Sequence, residues 1–104
     1  MRKIFIDTFV VPEESTAAFL ENGKKAQSFI KTLPGFVEGY LYEKKEGDGR
    51  TNYMTTAIWE NEESFEKAKK AVAEEFQRRG FNPQESRQKL NIESERGVYE
   101  RFPY

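Results

Sequence analysis

Neither cysteine nor histidine occurs anywhere in this sequence of 104 residues. The first absence removes disulfides, thiolate nucleophiles and cysteine-held metals. The second removes the usual proton shuttle near neutral pH and the commonest side-chain ligand of metals and haem. An excess of charge of either sign is also missing, because 17 basic residues face 18 acidic ones for a net charge of -1. Lysines and glutamates interleave along the chain, as in Glu62-Glu63-Ser64-Phe65-Glu66-Lys67, so no basic face for nucleic acid or an anionic membrane is expected. Long apolar runs are absent as well. Ile4-Phe5-Ile6 is cut by Asp7, which excludes a signal-peptide core, and nothing approaches the roughly 20 apolar residues of a membrane span. A cytoplasmic location is therefore expected. Neither a glycine-rich phosphate loop nor a nucleophile elbow is present.

What the chain has is aromatic surface: nine Phe, five Tyr and one Trp carry most of its capacity for burial. That suits one domain spanning residues 1–104 with one core. Residues 3–11 are β-branched and aromatic at odd and even positions alike, which predicts a strand buried on both faces. Phe19, Leu20, Gly23, Ala26, Phe29, Ile30 and Leu33 then recur at helical spacing after the start signal Pro12-Glu13-Glu14-Ser15-Thr16, and Pro34-Gly35 ends that helix. Strands over 36–45 and 51–59 flank Glu46-Gly47-Asp48-Gly49-Arg50, whose glycines accept the positive φ of a hairpin. Asn61 caps a second helix that stops at Arg78-Arg79-Gly80, Asn82-Pro83-Gln84-Glu85 starts a short helix over 83–90, and Val98 to Phe102 supplies a fourth strand.

The order strand-helix-strand-strand-helix-strand predicts an α+β fold of the ferredoxin-like kind, a four-stranded antiparallel sheet with both long helices on one face. Apolar residues on the other face need cover, and a second copy of the chain packed sheet to sheet is the expected cover. RNA-recognition domains share this order, but Thr51-Asn52-Tyr53-Met54-Thr55-Thr56-Ala57-Ile58 lacks their basic-Gly-aromatic pattern on the third strand.

Asp7 falls mid-strand on the same side as Phe5, Phe9 and Val11. A carboxylate desolvated there either serves as a base or is paired with an arginine, for which Arg101 on the expected neighbouring strand is one partner. Tyr40, Tyr42, Tyr53, Trp59 and Tyr99 either wall a pocket with hydroxyl donors or pack the core and an interface. Asn52 reads as turn chemistry, and the pairs Lys24-Lys25, Lys69-Lys70 and Arg78-Arg79 read as solvated helix surface.

Leu33-Pro34-Gly35-Phe36-Val37-Glu38-Gly39 and Ile58-Trp59-Glu60-Asn61-Glu62-Glu63-Ser64-Phe65 resemble two junctions of the antibiotic biosynthesis monooxygenase family, of the dimeric α+β barrel superfamily. The likeness spans nearly the whole chain. It implies a homodimer with a pocket between sheet and helices in each subunit, and oxygenation of a small aromatic or quinol substrate with O2, no cofactor and no metal. The site it implies has Asp7 as base or anchor, with Tyr40, Tyr53, Trp59, Tyr99 and Arg101 around the substrate. The alternative is a dimeric domain that binds a small ligand, or has a stress-related role, without catalysis. Haem-degrading relatives use a first-strand Asn and a Trp and His on the second helix. Here Asp7 and Ala68 stand in the first two places and histidine is lacking, so that route is not expected.

Overall fold

The longest stretch of alternating β-branched and aromatic residues forms the middle of the sheet. In the computed structural model, which describes residues 1–104, β1 (Lys3–Pro12) is followed by a 3-10 turn at Glu13–Ser15 and α1 (Thr16–Ile30). Next come β2 (Phe36–Lys45), β3 (Arg50–Trp59), α2 (Glu62–Arg79), α3 (Pro83–Lys89) and β4 (Glu93–Tyr99). The sheet order is β2-β3-β1-β4 with every neighbouring pair antiparallel, so β1 and β3 are central. This is the ferredoxin-like α+β arrangement expected from the sequence.

Local chemistry sets the helix limits. The Asn61 side chain accepts a hydrogen bond from the Ser64 N–H at 2.8 Å, and Gly80 at φ 70° ends α2 just past Arg78 and Arg79. Asn82 caps α3 in the same way, accepting from the Glu85 N–H at 3.1 Å. The first helix starts later than its signals imply, because Glu13–Ser15 forms a separate 3-10 turn. Buried Ser15 donates its hydroxyl to the Leu90 carbonyl at 2.7 Å, tying the entrance of α1 to the end of α3.

Two boundaries differ from expectation in ways that matter for the site. The fourth strand runs over Glu93–Tyr99, not 98–102, and pairs with β1 from Ile4–Tyr99 to Val10–Glu93. It is an edge strand, and edge strands accept charges such as Glu93, Glu95 and Arg96 that erase any apolar alternation. Arg101 consequently lies outside the sheet, on exposed chain beyond β4. The second difference is a bulge at Val37, where the β2–β3 register shifts between Phe36 and Glu38. One extra residue reverses which face later side chains take. Phe36 therefore stays with Trp59 on the helix side, while Tyr40 and Tyr42 turn to the bare side.

The core is small and lies toward one end. Trp59, Phe65 and Ala68 form its buried cluster, with Phe5, Ile30, Leu33, Phe36 and Ala57 packed around it. Only six residues of the chain are buried, because the helices do not close over the whole sheet. The molecule is a slab of 40 × 39 × 18 Å with a radius of gyration of 14.2 Å. A compact chain of this length has a radius of about 13 Å.

The α1–β2 and β3–α2 junctions meet at Gly35, whose carbonyl accepts from the Glu60 N–H at 2.8 Å. Gly35 has φ 84°, and an added Cβ would collide with the Ser64 side chain and its Cβ. Gly35→Ala is expected to lower stability by about 1–3 kcal/mol in urea unfolding. Gly23→Ala in mid-α1, where an added Cβ meets nothing within 4 Å, is expected to raise it by about 0.5–1 kcal/mol.

Candidate functional site

Side chains directly opposite one another on adjacent strands share a face and form rungs across the sheet. On the helix-facing side one rung contains Phe9, Tyr53 and Ser94, the next Asp7, Thr55 and Arg96, and the next Phe5, Ala57 and Val98. Trp59 and Phe36 follow at the end of the sheet. Bulky aromatics thus stand at both ends: Phe19 of α1 rests on Phe9 at 5.0 Å and Tyr53 at 4.8 Å, and Phe65 of α2 rests on Phe5 at 5.4 Å. Between them the centre carries the short side chains of Asp7 and Thr55.

The result is a cavity of about 620 Å³ between sheet and helices, open to solvent. Phe5, Asp7, Phe9, Thr55, Ala57 and Trp59 form its floor. Ala26 and Ile30 of α1 and Phe65, Ala68 and Val72 of α2 wall it, and Phe81, Arg87 and Leu90 border it around α3. Its volume lies in the range of small-molecule sites, and its apolar lining with a few convergent polar groups is the usual composition of one.

Asp7 is the one carboxylate of the lining. Its Oδ1 accepts from Arg96 Nε at 2.8 Å, and the Arg96 guanidinium lies 4.9 Å from the centre of the Phe5 ring. The carboxylate side chain is 14% exposed and the guanidinium side chain 62%, so the acid sits on the floor and the cation reaches outward. The arginine beside Asp7 is therefore Arg96, which β4 places directly opposite it, and Arg101 lies elsewhere. Thr55, Asn22 and Gln27 add neutral polar atoms to the lining.

The remaining expected site residues separate by face. Trp59 lines the cavity, edge-on to Phe36 at 5.5 Å. Tyr53 faces the same layer but is 3% exposed and stacked behind Phe19, so it supports the wall and offers no hydroxyl to the cavity. Tyr40 and Tyr99 are both 54% exposed on the opposite face, with Tyr40 beside Tyr42 at 6.2 Å. The Tyr99 ring covers Gly97, where an added Cβ would come within 2.6 Å of it. None of these three tyrosines reaches the cavity, because the Val37 bulge and the register of β4 fix their direction. Asn52 joins the hairpin as expected, donating its amide to Glu46.

Sequence reading passed over Arg96, Arg87, Asn22 and Gln27. For Arg96 a signal existed: once the last strand begins at Glu93, alternation puts Ser94, Arg96 and Val98 on the side of Asp7. Ala68 is buried on the cavity wall. No group of three or more acidic side chains converges as metal ligands, and no helix is long and apolar enough to cross a membrane.

The family model described as antibiotic biosynthesis monooxygenase matches residues 4–79. No curated protein matches the sequence. Among solved structures, a mutant form of SnoaB, a cofactor-independent oxygenase from Streptomyces nogalater, is 20% identical with TM-score 0.67, the match covering 99% of this chain and 95% of that one. A dimeric ferredoxin-like protein from an uncultured marine organism is 14% identical with TM-score 0.68, over 95% and 94% of the two chains. A heme-degrading protein from Mycobacterium tuberculosis is 22% identical with TM-score 0.54, over 65% of this chain and 77% of that one. At these identities the structural likenesses speak for the fold.

Burial pushes the Tyr53 phenol above its ordinary value, and the nearby Glu43 carboxylate reinforces the shift. A phenol held neutral by the fold contributes stability that is fully present below its unfolded value, about pH 10, and lost as pH rises through its folded value. In alkaline titration followed by tyrosinate absorbance, Tyr53 is expected to ionise in a late step that coincides with unfolding. Tyr53→Phe should remove that step.

Proposed function

Because the chain belongs to the antibiotic biosynthesis monooxygenase family, we propose that it is a cofactor-independent monooxygenase for a small, planar aromatic or quinol substrate. The observation that carries the reading is the apolar cavity whose single carboxylate, Asp7, lies on the floor beside the Arg96 guanidinium. A quinol lying against Trp59, Phe5 and Phe65 presents a hydroxyl to Asp7, which takes its proton, and Arg96 then faces the oxyanion formed. The apolar walls lower the local dielectric around that anion and strengthen its pairing with the guanidinium.

The electron-rich anion reduces O2 directly, so the substrate supplies every electron. For a dihydroxynaphthalene, one oxygen atom becomes a third oxygen substituent on the ring and the other leaves as water with two of the substrate's hydrogens. The products are a hydroxynaphthoquinone and water. Trp59 serves as a ring wall, and Tyr53 acts through Phe19.

We also assign the face bearing Tyr40, Tyr42, Met54 and Tyr99 to a sheet-to-sheet homodimer. The support is a thin slab with one bare face and 40–54% exposure of these four side chains. Tyr40 and Tyr99 belong to that interface in this reading.

A second reading, a ligand-binding domain without catalysis, draws on the fact that Asp7 is already neutralised by Arg96. Oxygen uptake with a panel of dihydroxynaphthalenes and anthrones separates the two. The enzyme reading expects uptake that falls about 10²–10⁴-fold in Asp7→Asn, which keeps the side chain's shape and loses its basicity. Uptake unchanged in that variant ends the role of Asp7, and binding of the panel without any uptake supports the second reading. Sedimentation at micromolar concentration is expected to give a dimer that Met54→Glu dissociates. A well-folded wild-type monomer would refute the interface.

A further inference from the structure

The charges around the cavity do not balance. Asp7, Lys69, Arg87 and Arg96 are the charged residues of its lining, three cations against one anion. Two of the cations are engaged: Arg96 holds Asp7 at 2.8 Å, and Lys69 is paired with Glu66 at 3.1 Å. Arg87 is different. It is half-buried on α3, takes part in no ion pair or side-chain hydrogen bond, and the one acid on its own helix, Glu85, is bound to Lys89 at 3.2 Å. A partly desolvated guanidinium without a counter-charge is costly, and it is a surface waiting for an anion.

The surroundings say which kind of anion. Phe76 and Phe81, edge-on at 5.3 Å, line the same cavity as Arg87, so the cavity offers both a cation and aromatic surface. A guanidinium presents a planar fork of donors that matches a carboxylate through two parallel hydrogen bonds. Asn82, Gln84 and Ser86 add uncharged polar atoms on the α3 side and no competing acid.

We infer that the ligand of this cavity is a planar aromatic acid, its ring among the apolar walls and its carboxylate on Arg87. This rests on the cavity being the ligand site, as proposed above, and adds to it the chemical class of the ligand and the residue that selects it. Arg87 is thereby a specificity-determining residue, separate from Asp7 and Arg96 on the floor.

Calorimetric titration of the intact protein with naphthoate and with naphthamide, its uncharged near-isostere, tests this. Naphthoate should bind about tenfold or more tightly, as expected for charge-assisted hydrogen bonds in a partly buried site, and added salt should narrow the gap. Arg87→Gln should abolish the preference and leave naphthamide binding unchanged, while Arg87→Lys should retain part of it. A urea midpoint that does not fall shows that the variants are folded, as expected where the charge removed has no protein partner. Equal binding of acid and amide by the wild type overturns the inference and leaves the cavity as a ligand site. A preference that persists in Arg87→Gln also overturns it. Failure of both compounds to bind removes the underlying reading and this inference with it. Binding of naphthoate with no oxygen uptake from any substrate would sustain the inference and end the monooxygenase assignment alone.

Discussion

The helices of this protein cannot settle onto the middle of their own sheet, and the rest of the architecture depends on that constraint. At the rung of Asp7, Thr55 and Arg96 the side chains are short or point outward, while the rungs on either side raise Phe9 and Tyr53 against Phe19 and Phe5 against Phe65. Protein interiors fill space to near-crystal density, so an unfilled centre between two filled ends is what makes this cavity the candidate site. The same rung supplies the one carboxylate of the cavity floor, and its pairing with Arg96 is what allows that charge to stay there.

The two-faced sheet follows from a second constraint, the parity of β2. With the Val37 bulge, Phe36 packs against Trp59 and the two tyrosines that follow turn outward. Without it, Tyr40 and Tyr42 would enter the cavity side and Gly39 would lie on the bare face. Gly39 is needed where it is: a Cβ there would come within 2.6 Å of the Thr56 carbonyl and 3.1 Å of Gln27 on α1. One inserted residue thus provides the close approach of α1, the open cavity and the aromatic bare face together.

In the reading proposed here, selectivity and chemistry come from different elements. The floor belongs to the central strands, whose positions are fixed by pairing on both sides, as precise placement of a reacting group requires. The rim belongs to α3, a short helix bounded by two residues of positive φ, Gly80 at 70° and Asn91 at 55°, and held to the turn before α1 by Ser15 and Leu90. In that reading, ligand class can change through α3 with little disturbance of the floor.

Element order, the caps at Asn61 and Asn82, the hairpin glycines and the aromatic, two-sided character of β1 were all legible in the chain alone, because they depend on local dihedral preference and on periodicity within one segment. Asp7 could likewise be placed among apolar neighbours, since alternation along a strand needs no partner. Folding in three dimensions was required to establish that Arg96 and not Arg101 meets Asp7, that Tyr40 and Tyr99 face away from the cavity, and that Arg87 borders it. Each of those rests on register between strands or on where a short helix lands, and both are fixed by pairing between residues distant in the chain. A one-residue bulge or an edge strand rich in charge leaves no periodic trace, yet either one reassigns an entire face.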